Sequence, residues 1–185
     1  MRKGEPLDVI TFAGNGEPTL HPEFSDIIDD SIELRNKYFP EAKIAVLSNS
    51  TMLNKLEVVV ALKKVDQNIL KLDSAFDSTI KLLNQPRVKF SSEELVKNLK
   101  SFDGNLIIQT LFLRGVFEGV TIDNTTDIEV NGWLKLVKEI NPKEVMIYTI
   151  ARDTPAVGLE KVLLKDLKAI AAKVEALGIP VQVSA

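Results

Sequence analysis

The stretch of this 185-residue sequence most able to do chemistry is Gly14-Asn15-Gly16-Glu17-Pro18-Thr19. Two glycines let the backbone approach a ligand closely, and a carboxylate follows at once. A glycine turn between strand and helix can cradle a pyrophosphate, as in G-x-G-x-x-G. Here Thr19 stands in place of the third glycine, and Glu17 would set negative charge beside the phosphates, which argues against an anion. The same turn suits a cationic group such as an ammonium. Pro18 stiffens it and favours an extended backbone at Glu17. Other polar residues follow apolar runs: Ser48-Asn49-Ser50-Thr51, Asp73-Ser74, Arg114-Gly115 and Arg152-Asp153-Thr154-Pro155. Ordinary structural roles are open to each. Asn49 can close a turn, Asp73 can cap a helix beginning near Phe76, and Arg152 can pair with Asp153. The single histidine, His21, could shuttle a proton. With no second histidine and no thiol to partner it, we expect it to cap the following helix and pack against the end of the fold.

These residues must be positioned by the elements between them. Short β-branched runs begin at 8, 43, 68, 105, 144 and 181, covering 8–13, 43–47, 68–72, 105–113, 144–150 and 181–183. Their spacings of 35, 25, 37, 39 and 37 residues suit βα units of about 30 residues. Near-continuous apolar strands of this kind belong to parallel sheets covered on both faces. Between them lie helix signals. Ile27, Ile28, Ile32 and Leu34 follow Pro22; Ser91 with Glu94 and Thr126 with Glu129 have capping-box spacing. Val130, Trp133, Leu134, Val137 and Ile140 form a core-facing stripe, as do Leu163, Leu167, Ile170, Val174 and Leu177, closed by Gly178 and Pro180. Trp133 is expected to be helix packing. The class is α/β, as an open doubly wound sheet or a (β/α) barrel. A complete eight-stranded barrel needs about 250 residues, so a partial TIM-like barrel of five to six parallel βα units is the better form. In both architectures sites form at the carboxyl ends of the strands. No linker divides residues 1–185, which read as one domain, and residues 115–124 read as a long functional loop.

Composition removes several chemistries. A net charge of −3 gives no support to nucleic-acid binding driven by bulk charge. With no cysteine in the sequence, disulfides, thiol nucleophiles and thiolate-bound metal clusters are excluded within these residues. No apolar run reaches the length of a membrane span, and Met1-Arg2-Lys3 leads into no signal-peptide core, so a cytoplasmic protein is expected.

The segment from Ile10 to Phe24, with Gly14-Asn15-Gly16-Glu17-Pro18 and Thr19-Leu20-His21-Pro22, resembles the second strand and glycine–glutamate motif of radical S-adenosylmethionine (SAM) enzymes. It is similar to the variant in proteins related to pyruvate formate-lyase activating enzyme and to wyosine-synthesis proteins. Residues 43–51, 70–74, 108–112 and 147–155 are similar to the third to sixth strands of that family. The resemblance implies that Gly14, Gly16, Glu17 and Pro18 form the turn that holds the SAM ammonium. It places Ser48 and Asn49 near the methionine moiety, with Lys71 and Asp73 as candidates for the ribose hydroxyls or the methionine carboxylate. Gln109 and Thr110 would line the interior, and Tyr148 or Arg152 would meet adenine or substrate. SAM offers a cation, a carboxylate, a diol and an apolar base, which this residue set matches.

The family's chemistry also requires a [4Fe–4S] cluster on a C-x3-C-x2-C loop after the first strand, and electron transfer to it cleaves SAM to a 5′-deoxyadenosyl radical. The sequence opens at what looks like the second strand. The leading expectation is therefore a truncated radical SAM core, lacking the family's first strand and cluster ligands and unable to run the radical chemistry alone. In the parent protein an electron donor is implied, and the substrate could be a glycyl-radical enzyme, an RNA base, a peptide or a small molecule. A cluster-free SAM-binding or regulatory barrel is the alternative. A (β/α) enzyme using Glu17 and Asp73 as an acid–base pair is a third. An open edge at residues 8–13 would favour dimerisation.

Overall fold

The structure, a computed structural model, describes residues 6–14, 16–86, 91–151 and 158–185. The chain divides into two compact units, residues 1–69 and 70–185. Arg152 and its neighbours Asp153, Thr154 and Pro155 lie outside the described residues, as does Asn15.

The first unit contains β1 (Val9–Phe12), one 3-10 turn (Pro18–Leu20), α1 (Phe24–Tyr38), β2 (Lys43–Ser48), α2 (Leu56–Lys64) and the start of β3 (Gln67–Lys71). β1 and β2 are parallel, with Val9 opposite Lys43 and Phe12 opposite Val46. Ile44, Ala45 and Val46 are buried in succession, as an interior parallel strand requires. α1 buries Phe24 and Ile28, but Leu34 is 57% exposed. Six residues at about 100° each carry Leu34 well round the helix from Ile28, so it leaves the apolar stripe assigned from sequence. α2 carries no capping side chain and its run Val58-Val59-Val60 is β-branched, which hides it from a reading by propensity. An ion pair helps fasten the unit. Arg35 Nη1 lies 2.8 Å from Asp66 Oδ2 and donates to the Ala42 carbonyl at 2.6 Å. Asp66 Oδ2 also accepts from Ile44 N at 2.8 Å. Burial pushes the Asp66 carboxyl up, yet the Ile44 N–H and the Arg35 guanidinium outweigh it and hold the group below its ordinary value.

The second unit takes up the end of β3 and continues through α3 (Asp77–Asn84), α4 (Ser92–Lys100), β4 (Ile107–Leu111), β5 (Leu113–Phe117), β6 (Val120–Asp123), α5 (Asp127–Ile140), β7 (Glu144–Tyr148), β8 (Leu159–Lys161), α6 (Leu164–Glu175) and β9 (Val181–Ser184). β4, β7 and β9 are parallel neighbours, with Leu111 opposite Tyr148 and Tyr148 opposite Ser184. Trp133 is 1% exposed, stands edge-on to Phe112 at 5.3 Å and donates Nε1–H to the Leu72 carbonyl at 3.1 Å. It is core packing, as expected. Thr126 Oγ1 caps α5 by accepting from Glu129 N at 3.3 Å, while the Glu129 carboxylate accepts from Ser74 Oγ and Thr79 Oγ1, both at 2.6 Å. Ser91 caps α4, and Gly178, at φ +81°, closes α6.

One sequence expectation fails here. The apolar run 105–113 is not one strand, and 115–124 is not a long loop. β4 ends at Leu111, and β6, β5 and β8 form a separate antiparallel sheet. Glu118 and Gly119, at φ +50° and +79°, make a two-residue turn whose twist matches the hairpin. Because Glu stands where Asn or Asp is usual, the turn carries a weak sequence signal. Gly115, at φ +136°, allows β8 to cross closely; a Cβ there would collide with the Gly158 carbonyl. Among the described residues no helix is long and apolar enough to cross a membrane.

Candidate functional site

In the first unit the glycine–glutamate turn follows β1. Glu17 is extended, at φ −80° and ψ 115°, as Pro18 after it dictates. Its Oε1 accepts from Thr19 N at 3.2 Å and from Thr19 Oγ1, while Oε2 accepts from Asn49 N at 2.6 Å. Glu17 therefore caps the 3-10 turn and ties it to the segment after β2. Gly14 and Gly16 show no crowding among the described residues. A Cβ on either would meet nothing within 4 Å. Ser48 Oγ accepts from Ser50 N at 3.0 Å, and Asn49 Oδ1 accepts from Thr51 N at 3.0 Å and Thr51 Oγ1 at 2.7 Å. The Asn49 side chain thus closes a turn. Ser50, at φ +68°, keeps a buried Oγ without a hydrogen-bond partner. His21 Nδ1 accepts from Glu23 N at 3.2 Å, but α1 carries no capping side chain and the ring is exposed, so neither the helix cap nor the packing expected of His21 is found.

In the second unit, Lys71, Asp73 and Tyr148 come together. The Asp73 side chain is 0% exposed, and its Oδ1 accepts from Leu111 N at 2.8 Å. Its Oδ2 lies 3.1 Å from Lys71 Nζ as an ion pair, outside hydrogen-bond alignment. Lys71 Nζ donates to Asn84 Oδ1 at 2.9 Å. Burial pushes the Lys71 ammonium down, but the Asp73 carboxylate and Tyr148 outweigh it and hold the group above 10.5. Burial pushes the Tyr148 phenol above 10.0; Lys71 opposes this and Asp73 adds to it. The helix-capping alternative for Asp73 is excluded, because Phe76 precedes α3 and its carboxylate is committed to β4.

Gln109 and Tyr148 are half-buried on one face of β4 and β7, with Leu111 and Met146 between them in register. Thr110 faces the other way. Successive strand residues alternate, and Thr110 is buried with Oγ1 donating to the Leu72 carbonyl at 2.8 Å. The expectation that Gln109 and Thr110 both line one interior is corrected accordingly. Sequence reasoning missed Asn124, which is buried directly after β6 and bonds three segments. Its only sequence signal was an amide beside the Thr126 cap.

No family model matches the chain. The UPF0026 protein slr1464 of Synechocystis is 30% identical over 153 residues, 80% of this chain and 52% of that protein. The chain thus spans about half the length of this relative. Among solved structures, a domain of pyruvate-formate lyase-activating enzyme from Bacteroides vulgatus superposes with a TM-score of 0.69 at 17% identity, covering 96% of this chain and 99% of that one. A radical SAM methyltransferase from Sphaerobacter thermophilus gives 0.72 at 16% identity, over 96% of this chain and 51% of its own. The chain shares the fold of these two structures. The partial (β/α) barrel with parallel strands, expected from strand spacing and from the glycine–glutamate motif, is therefore the architecture of this chain.

Proposed function

We propose that this chain is the SAM-binding core of a radical SAM enzyme. The observation that carries the reading is the turn after β1. Two glycines at which a Cβ would meet nothing within 4 Å among the described residues leave open space beside the backbone, and the next residue is a carboxylate held by three hydrogen bonds to neutral donors. An ammonium can approach such a carboxylate without competing with another cation, and its positive charge is matched where a phosphate would be repelled. Gly16 and Glu17 would hold the SAM ammonium, and Ser48 and Asn49 the methionine backbone. By the resemblance, Lys71 is assigned to the methionine carboxylate or the ribose diol, with Gln109 and Tyr148 beside the base; Asp73, whose side chain is 0% exposed, would act behind Lys71. SAM supplies a sulfonium open to reductive cleavage; the residues here bind and orient it.

An iron–sulfur cluster does not fit the residues present. The sequence has no cysteine, and among the described residues no group of three His, Cys, Asp or Glu side chains could hold a metal. A cluster serving this core would take its thiolates from other sequence, so no step is derived through one. For the whole protein, activation of a glycyl-radical enzyme is the first activity to test, since the Bacteroides vulgatus domain of that name is covered over 99% of its length.

Titration calorimetry of the chain with SAM tests the binding. Saturable binding is expected, weakened tenfold or more by Glu17→Gln, which removes the charge and keeps an acceptor for Thr19. Absence of binding by the unsubstituted chain at millimolar SAM would sink the proposal.

A further inference from the structure

Asn124 is 1% exposed, and its amide is fully committed. Nδ2 donates to the Asp73 carbonyl at 3.0 Å and to the Leu111 carbonyl at 2.7 Å, while Oδ1 accepts from Leu113 N at 2.9 Å. A primary amide offers two N–H donors and one carbonyl oxygen. Here they bond backbone groups at the ends of β4 and β5 and beyond the end of β3. Asp73 lies beyond the end of β3 at Lys71, and Phe112 interrupts the run between β4 and β5. The Asp73 peptide is thus gripped at its carbonyl by Asn124 and at its carboxylate by Leu111 N.

We infer that Asn124 is a positioning residue: from the end of the β5–β6 hairpin it holds the Asp73 backbone, and through it the Lys71–Asp73 pair. The inference rests on the reading that Lys71, held by Asp73, meets the ligand, but the arrangement of the pair can be measured without one. Ion-pair energy in a poorly solvated site depends steeply on separation. Asp73 and Tyr148 are the titratable groups acting on Lys71, and Asn84 is its neutral partner. If Asp73 moves away, burial prevails and the Lys71 ammonium loses its proton more readily.

The experiment follows the Lys71 side chain by NMR in the full chain with 13C-labelled lysine, through an alkaline titration. Asn124→Ser is compared with Thr110→Val, which removes a different buried bond, to the neighbouring Leu72 carbonyl. Asn124→Ser is expected to lower the Lys71 midpoint by about one pH unit, a tenfold change, while Thr110→Val leaves it in place. An unchanged midpoint in Asn124→Ser, or an equal fall in both variants, overturns the inference. Should Asn124→Ser fail to fold, amide exchange in the unsubstituted chain decides. Leu111 and Leu113 should open together as one clamp, and a tenfold faster exchange at Leu113 would count against it. Calorimetry separates this from the SAM reading. Loss of SAM affinity in Asn124→Ser alone supports both, whereas no SAM binding by any variant removes the SAM reading and leaves the titration result standing.

Discussion

Glu17 in the first unit and Asp73 in the second are both buried or half-buried carboxylates beside strand ends, yet they are held in opposite ways. Among the described residues Glu17 accepts from neutral donors, two of them on Thr19, two residues away. Asp73 is sealed from solvent, faces a lysine, and takes its hydrogen bond from Leu111, 38 residues away. Among the described residues no cation pairs with the first carboxylate. The second has its charge matched internally. Removing a partner from a buried ion pair leaves a charge in low dielectric, whereas removing a cap costs only the cap. The difference teaches that Glu17 is tied mainly to its own turn, whereas Asp73 joins distant parts of the chain.

The sharpest way to break this contrast is Asp73→Ala. It strands the Lys71 ammonium, whose side chain is only 23% exposed, and should destabilise the protein by about 3 kcal/mol in urea unfolding. A loss under about 1 kcal/mol would mean that the pair is not holding the unit.

Alkaline unfolding gives an intermediate effect. Lys71 and Tyr148 both have native values raised above 10.5 and 10.0, so the native state retains protons that the unfolded chain releases. Their contribution is complete below pH 10 and is lost as pH climbs through the native values. Stability should fall above pH 10 in the unsubstituted protein, and Asp73→Asn should abolish the part due to Lys71. An unaltered alkaline limb in that variant would separate Lys71 from Asp73.

The smallest expected effect is on the other side of the comparison. Glu17→Ala removes the cap of the 3-10 turn and should cost about 1 kcal/mol, read from the urea midpoint, with no change in the alkaline limb. A cost equal to that of Asp73→Ala would erase the distinction between the two carboxylates.

What was legible in the sequence follows the same division. The parallel strand segments, the α5 stripe, the Leu167, Ile170 and Val174 part of the α6 stripe (its ends Leu163 and Leu177 are exposed), the Thr126 and Ser91 caps, Trp133 as packing, and the extended Glu17 before Pro18 all express local rules: period, capping and the restriction before proline. The split of 105–124 into β4 and a hairpin was not legible, since an apolar run has the same period on either side of Phe112 and Glu118 is an unusual residue at a left-handed turn position. The two faces of Gln109 and Thr110 were open to reading from strand alternation, but only the partners of Thr110 showed which face is the core.

By itself the sequence determined the class of fold, the glycine–glutamate turn and the absence of thiolates, because each depends on residue types at short separations. Tertiary structure alone decided that Tyr148 stands beside Lys71 and Asp73, that Leu111 holds the Asp73 carboxylate and that Asn124 clamps the segments around it. Those contacts join residues 11 to 51 apart in the chain for Asn124 and 38 apart for Asp73 with Leu111. Separations of that size have no period or motif to announce them; they exist only once the strands are laid side by side.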